Sequence, residues 1–367
     1  MASSALVHDA ADASAQQAPP TGFNVALLVT SLWFFGGLLL DGWAHNHLDL
    51  SKEGFFTPYH AVFYTGFVAL ASVLFLATWR NRATGISWRD AIPKGYRPMA
   101  LGAAIFALGG GLDMLWHIRF GVEQDVEALF SPTHLLLAVG GATMMSGPIS
   151  AGLARANERS WSAQFSTLIA LALFATLVQF FFMWAFPLGA ARALDPHVLY
   201  RQLPRGALDD VVDFDLQSGI AAIVIRSLIV VGFVTWAARR LALPFGAVTM
   251  LVAVPNVLIA VMLDPLPLPI LLTLASALAA GLAGDAALSR WGDIATPWRS
   301  RLFGFGLPFV FWAVYVTIAY FAVGGFWWSP HVVYGAPVIG GLCGLLISLA
   351  GEASCGRRDS NPQPTSS

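Results

Sequence analysis

The chain has 367 residues, of which 57% are hydrophobic and only 11% are charged, and its mean hydropathy is +0.67. Soluble domains carry about 25% charged residues, so this composition predicts a protein whose surface faces lipid. The net charge of −1 and the lack of a basic stripe argue against a nucleic-acid partner. The two cysteines, Cys343 and Cys355, provide neither a disulfide framework nor a CxxC metal site.

Ten apolar runs are long enough to cross a bilayer, since a spanning helix needs about 20 residues. They predict an all-α, polytopic integral membrane protein with about ten transmembrane helices. The segment LDPLPLP between the seventh and eighth runs is typical of a broken or re-entrant helix. The runs lie near residues 23–44, 59–79, 99–117, 132–153, 163–186, 217–237, 245–263, 268–287, 302–324 and 331–350.

These runs divide the chain into four regions. Residues 1–22 are rich in Ala, Ser, Gln and Pro and contain no Lys or Arg, so they lack the charged start of a signal peptide and predict a disordered leader. Residues 23–153 hold four helices and a motif that occurs twice. Residues 154–350 hold six further helices, and the polar residues 351–367 predict a disordered tail.

The distribution of Lys and Arg predicts how the protein lies in the membrane. Fourteen of the 20 basic residues fall on the side of the two termini, including the five between Arg80 and Arg97, and only five fall on the opposite side. Cytoplasmic loops carry the excess of positive charge, so we expect a cell-membrane protein with both termini in the cytoplasm. On this topology every histidine except His8 lies at or near the extracytoplasmic face.

The stretch DGWAHNHLDLSKEGFFTPYH follows the first apolar run. Asp41 and His45 are four residues apart, so they share one face at the end of the predicted helix. Phe-Thr-Pro then opens the next helix, with Thr57 as the N-cap and the proline at the first helical position, which places His60 in the first turn. Both helix ends lie at the same membrane depth, so one carboxylate and two imidazoles are expected to converge.

The same arrangement recurs about seventy residues later, in DMLWHIRFGVEQDVEALFSPTH. Asp113 and His117 are again four residues apart, and Phe-Ser-Pro places His134 in the first turn of the following helix. An aspartate in the last turn of a helix faces the negative end of the macrodipole, a cost that a bound cation offsets. Deprotonated Asp and neutral His are the forms that bind metals, so a duplicated helical-hairpin metal motif is predicted.

A structural interpretation competes with the metal site. Asp and His can form pairs that only cap helices at the membrane interface, with Trp43 and Trp116 as interfacial aromatic residues. Two copies in the same order and on the same predicted face favour a functional role. Ionisable residues within membrane segments are also rare and usually functional.

The first copy, DGWAH followed by FFTPYH, resembles the C subunit of the particulate methane and ammonia monooxygenases. The second copy, DMLWH with FSPTH, is similar, with Ser131 in place of threonine, and the resemblance covers about forty residues per copy. It implies a copper-dependent membrane monooxygenase that acts with O₂ on a small apolar substrate, with other membrane subunits or as a homo-oligomer. The implied copper ligands are Asp41, His45, His60, Asp113, His117 and His134.

Other metals and another class of function fit the same residues. One carboxylate and two imidazoles also form the facial triad of non-haem iron oxygenases, and zinc takes the same ligand types. The second class is non-catalytic binding, storage or transport of copper or another transition metal. Conduction needs polar groups through the membrane, whereas the predicted helix centres offer little beyond Arg226 and Asn256. The chain contains no Gly-x-Ser-x-Gly elbow that would indicate a hydrolase.

Three further features lie outside the duplicated motif. Arg226, within the sixth predicted helix, is expected to face the bundle interior and to pair with an acid or a carbonyl. His331 follows Pro330 directly, as a fainter echo of the motif that fits either the same cavity or a helix cap. Acids in the two outer loops are candidate partners for the ligand histidines: Glu53, Glu123, Asp125 and Glu127.

Labelling of intact cells with an impermeant thiol reagent tests the predicted orientation. In a chain whose Cys343 and Cys355 are replaced by Ser, a cysteine in the loop before Thr57 or before Ser131 should react from outside, because both loops are predicted to be extracytoplasmic. Arg89→Cys should stay unlabelled until the cells are opened. Labelling of Arg89→Cys alone would invert the topology.

Overall fold

A computed structural model describes residues 22–49, 55–83, 85–121, 125–185, 205–263, 267–323 and 330–359. The described residues are almost all helical, and no strand occurs among them. The predicted leader, apart from residue 22, lies outside these ranges. The helices are α1 Phe23–His47, α2 Pro58–Arg82, α3 Trp88–Ala91, α4 Arg97–Phe120, α5 Asp125–Phe130, α6 Pro132–Leu153, α7 Trp161–Phe181, α8 Arg205–Arg240, α9 Ala247–Leu263, α10 Pro267–Trp291, α11 Pro297–Val323 and α12 Pro330–Asp359.

Each of the ten predicted apolar runs coincides with one of these helices. Within the described ranges, nine helices are long and apolar enough to cross a membrane, and α9 is a shorter apolar helix of 17 residues. The prediction of about ten transmembrane helices thus corresponds to nine candidate spans within the described ranges, together with the shorter α9. It is short because Pro244 precedes it and a proline-rich stretch follows Leu263.

Proline sets the start of several helices. The ring fixes φ near the helical value and removes an N–H group that has no partner in the first turn. Five helices accordingly begin at a proline, namely α2, α6, α10, α11 and α12. In α2 and α6 the N-cap is the predicted one: Thr57 accepts a hydrogen bond from the backbone N–H of His60 at 3.0 Å, and Ser131 accepts one from that of His134 at 3.3 Å.

The outer faces of the helices are apolar, as a lipid environment requires. Exposed leucine and isoleucine side chains line one face of α4, from Leu101 through Leu108 and Leu115 to Ile118. A helix that is apolar both inside and outside is typical of a membrane span rather than of a soluble surface helix. Helix length and composition therefore agree with a multi-pass membrane protein.

The contacts divide the chain into two compact units. The first comprises Met1–Arg155 and Ala163–Leu177, and the second comprises Ala156–Ser162 and Val178–Ser367. In the first unit, α1 packs along α2 and α4 packs along α6, so two helical hairpins are formed. Both copies of the sequence motif lie in this unit, one on each hairpin.

Close helix crossings hold each hairpin together. A Cβ atom added at Gly37 in α1 would lie 2.6 Å from the Cα of Phe63, and one at Gly66 in α2 would lie 2.7 Å from the Cα of Phe34. The second hairpin repeats the crossing with Gly140 against the backbone of Phe106. Only a residue without a side chain permits such close approach of two backbones.

The crossings lie at equivalent distances from the two motifs. Gly37 precedes Asp41 by four residues, as Gly109 precedes Asp113, while Gly66 and Gly140 each follow the first-turn histidine by six residues. The equivalent rings of Phe34 and Phe106 meet edge to face, with centroids 5.1 Å apart. The duplication seen in the sequence thus extends to how the helices pack. The glycines at equivalent positions are Gly37, Gly66, Gly109 and Gly140.

The second unit contains the remaining spans. Asp285 of α10 is buried and accepts hydrogen bonds from the backbone N–H groups of Val248 and Thr249, so it caps the start of α9 from a neighbouring helix. The last helix runs to Asp359, past the residue 350 where the predicted span ends and into the predicted tail. Arg301 and Glu352 form an ion pair at 2.8 Å, which anchors this extension.

Alanine substitutions at two adjacent glycines of α1 test the crossing. Gly37→Ala should lower the free energy of unfolding by about 1–3 kcal/mol, the usual cost of overpacking, because the methyl group meets the backbone of Phe63. Gly36→Ala is the matched control, since nothing lies within 4 Å of its added Cβ. Denaturation in detergent measures both variants, and equal effects would contradict the close crossing.

Candidate metal centre

The first triad forms where α1 ends and α2 begins. Asp41 and His45 lie on one face of α1, and the N-cap at Thr57 directs His60 toward the same point from α2. Oδ2 of Asp41 is 3.9 Å from Nε2 of His45 and 3.4 Å from Nε2 of His60. The sequence-predicted ligands of the first copy are therefore brought together.

The second triad has the same construction from α4 and α6. Nε2 of His117 lies 3.5 Å from Oδ2 of Asp113, and Nε2 of His134 lies 3.5 Å from Oδ1. The Asp113 side chain is only 1% exposed. In each triad one ligand atom per residue lies within 4.8 Å of the other two.

These spacings fit a shared ion, and three of them are also at the long limit of direct pairing. An N–H···O hydrogen bond has a length of about 2.7–3.2 Å, whereas the carboxylate and imidazole atoms here are 3.4–3.9 Å apart. Two ligand atoms held tetrahedrally at about 2.1 Å from one ion are about 3.4 Å from each other. In addition, Oδ1 of Asp41 is buried and has no hydrogen-bond partner among the described residues. The donor set therefore fits a metal ion.

The opposite ring nitrogens are held in the way that metal-binding histidines require. Nδ1 of His60 is 2.6 Å from the carbonyl oxygen of Phe55, and Nδ1 of His117 is 3.2 Å from that of Gly121. Because a carbonyl can only accept, each Nδ1 carries the donated proton, so each ring in its neutral form turns the lone pair of Nε2 toward its triad. Such outer hydrogen bonds fix the orientation of a ligand ring. Nδ1 of His134 contacts Oγ of Ser131 at 2.8 Å.

The two triads lie side by side. The rings of His60 and His117, one from each triad, have centroids 6.1 Å apart, and the ring of Phe55 packs against both. His60 and His117 are buried, with side chains 7% and 3% exposed, whereas those of His45 and His134 are 28% and 24% exposed. The buried histidines are thus neighbours at the middle of one six-residue cluster.

Aromatic rings lie next to this cluster within the hairpins. Phe63 and Phe106 contact the ring of Tyr64, which is itself next to His60. Phe34 stacks on Phe63, and Phe67 packs against Phe106. The metal-binding groups therefore adjoin an apolar interior rather than a polar channel.

Two contacts to Asp113 were not predicted from the sequence. The hydroxyl of Thr133 donates to Oδ1 at 2.8 Å, and the hydroxyl of Tyr64 donates to Oδ2 over a long 3.4 Å. Thr133 lies within the motif, between the first helical residue Pro132 and His134, so its position was a usable signal. Tyr64 follows His60 by four residues and shares its helix face, but nothing local indicates that it reaches the other hairpin.

The other polar residues singled out in the sequence lie elsewhere. Arg226 is buried in the second unit and donates to the side-chain carbonyl of Gln179 at 2.9 Å, which confirms the predicted pairing with a carbonyl. His331, also in the second unit, is exposed at the start of α12. The predicted histidine partners Glu53 and Glu123 lie outside the described residues, as do the side chains of Asp125 and Glu127.

Comparison with known proteins provides no relatives. No protein-family model, curated protein or solved structure matches this chain. Function must therefore be inferred from the site itself.

Proposed function

We propose that this chain is a membrane-embedded metal protein with two adjacent binding sites. The ligands of one site are Asp41, His45 and His60, and the second site repeats them from the other hairpin. The observation that carries the proposal is the distance between carboxylate oxygen and Nε2 atoms, which is 3.4–3.5 Å in three of four pairs. This distance matches that between two ligand atoms bound tetrahedrally to one ion. The second site has Asp113, His117 and His134.

Copper is the favoured ion, and iron or zinc is the alternative. The preference for copper rests on the resemblance of DGWAH and FFTPYH to the monooxygenase subunit, because the ligand set by itself also suits iron. A bound copper or iron ion would supply the ability to activate O₂. Three protein ligands per site leave coordination positions open, while the chain's own hydrogen bonds at Nδ1 of His60 and His117 hold the imidazoles in place.

The surroundings of the cluster favour oxidation of a small apolar substrate over ion transport. Among the described residues of the first unit, every buried acidic, basic or histidine side chain belongs to a triad. The rings of Phe34, Phe63 and Phe106 occupy the interior next to the sites. An ion path should continue through polar groups, whereas an apolar substrate dissolves in lipid and tolerates an aromatic wall. We therefore propose a monooxygenase-like oxidoreductase.

Non-catalytic binding, storage or delivery of copper or another transition metal is the second candidate. The partial exposure of His45 and His134 favours it, because an ion can reach each triad from outside the hairpins. We propose that these sites lie toward the extracytoplasmic face, because Lys and Arg are in excess on the side of the termini. Other membrane subunits or further copies of the chain would complete the assembly.

Metal analysis of the purified protein tests metal binding, which both candidate functions require. Two tightly bound copper ions per chain are expected after reconstitution, and His60→Ala should remove one, since it deletes a ligand of one triad only. His47→Ala is the control: this ring stacks on Trp43, outside both triads, so both ions should remain. Failure to bind copper, zinc or iron would exclude every metal function proposed here.

Replacing the carboxylates separates an enzyme from a carrier. Asp41→Asn and Asp113→Asn keep the side-chain size but remove the charge, so each should weaken binding of its ion by about 10–100-fold, the usual effect of altered metal-site partners. In an oxygenase, both variants should also lack O₂ consumption with a small apolar substrate at saturating copper, because the charge tunes the ion. Asp90→Asn, whose carboxylate pairs with Arg97 at a distance from the triads, is the control.

Recovery of full function at saturating copper would contradict the oxygenase and support the storage or transport protein. Complete loss of turnover with both ions still bound would exclude a simple carrier.

A further inference from the structure

The two carboxylates of the cluster have different surroundings, although their triads have the same construction. Asp113 has a hydroxyl donor at each oxygen, from Thr133 at 2.8 Å and from Tyr64 at 3.4 Å. Oδ1 of Asp41 is buried and has no partner among the described residues. The sites are therefore not equivalent in their hydrogen bonding, even before an ion is bound.

The difference arises at positions where the two copies diverge. Counted from the first-turn histidine, Thr133 corresponds to Tyr59 and Tyr64 corresponds to Ala138, which has no hydroxyl group. No hydroxyl corresponding to that of Thr133 or Tyr64 reaches Asp41 among the described residues. The hydroxyl donors to Asp113 thus occur in addition to the ligands that both copies share, and they come from both hairpins.

Tyr64 crosses from one hairpin to the other. It lies one turn beyond His60 on α2, yet its hydroxyl contacts Asp113 on α4. The crossing depends on Gly110, because a Cβ atom there would lie 2.8 Å from Cε1 of the Tyr64 ring. The same ring packs near Phe55 and His60, so one side chain contacts parts of both triads.

We propose that the cluster is a pair of adjacent, non-equivalent metal sites, in which Tyr64 of the first hairpin is a positioning residue for the Asp113 site. This inference rests on the proposed metal-binding function. The Asp41 site takes the first ion, because Oδ1 of Asp41 is buried without a donor. A cation therefore stabilises this carboxylate more than that of Asp113, whose oxygens already accept hydrogen bonds. The Asp113 site takes the second ion, with a carboxylate oriented by two hydroxyl groups.

The hydroxyl groups do not compete with an ion for Asp113. Each carboxylate oxygen has two lone pairs, so it can accept a hydrogen bond and still bind a metal. Outer hydrogen bonds of this kind hold a carboxylate in its binding orientation, and their loss commonly reduces metal affinity by about 10–100-fold. Tyr64 therefore affects the second ion without being its ligand.

Titration of the chelator-stripped full-length protein with Cu(II) alone tests this inference. Calorimetry should show two steps in the unaltered protein, and His60→Ala should remove the tighter one. Tyr64→Phe should weaken the second step by about 10-fold and leave the first unchanged. Thr133→Val should act on the same step, which provides a second variant if either protein folds poorly. Tyr59→Phe is the matched control.

Electron paramagnetic resonance distinguishes positioning from a purely structural role. The signal of the second Cu(II) ion should change in Tyr64→Phe, whereas the signal at one equivalent of copper should stay the same. Two steps of equal affinity, or a Tyr64→Phe variant that binds both ions as before, would overturn the inference and leave the metal-binding proposal intact. Absence of any Cu(II) binding in the unaltered protein would overturn both.

Discussion

Two buried carboxylates in adjacent triads, near the ends of apolar helices, constrain the whole first unit. An ionised carboxylate away from water is costly unless it is paired, hydrogen-bonded or bound to a metal. Asp41 and Asp113 lie six and seven residues before the last residues of α1 and α4, so neither is in the last turn and the predicted cost from the helix dipole is wrong. Four imidazoles and two hydroxyl groups surround them, and these groups come from both hairpins. The ends of α1, α2, α4 and α6 must therefore converge at one level.

Convergence at the helix ends depends on close packing deeper in each hairpin. The glycine crossings bring α1 against α2 and α4 against α6 about one turn from the aspartates. Rigid helices then carry the ligands, and the N-caps at Thr57 and Ser131 orient the first-turn histidines. Sites built on helices hold their geometry better than sites built on loops. The same crossings place the phenylalanine rings next to the cluster, so packing and chemical environment have one structural cause.

The divergence of the two copies shows how a repeated fold can carry unequal sites. The glycines, the N-caps and the ligands are repeated, and they are the features that build a hairpin with a triad at its end. The hydroxyl donors and the ring of Phe55, whose counterpart in the second copy is Leu129, are not repeated. Differences of this kind alter the environment of an ion while the ligand set stays the same.

The sequence by itself determined the elements and the composition of each triad. Ten apolar runs, the Asp-x-x-x-His spacings and the Ser/Thr-Pro N-caps are local features, because helix length, face and start depend on neighbouring residues. The end of α12 differed from the prediction, since the helix continues past the apolar run to Asp359. Only the tertiary structure decided that the triads are adjacent and that Tyr64 reaches Asp113. Those contacts join hairpins about seventy residues apart in sequence. They depend on glycines that allow two helices, or a ring and a helix, to approach closely. No local pattern encodes that approach.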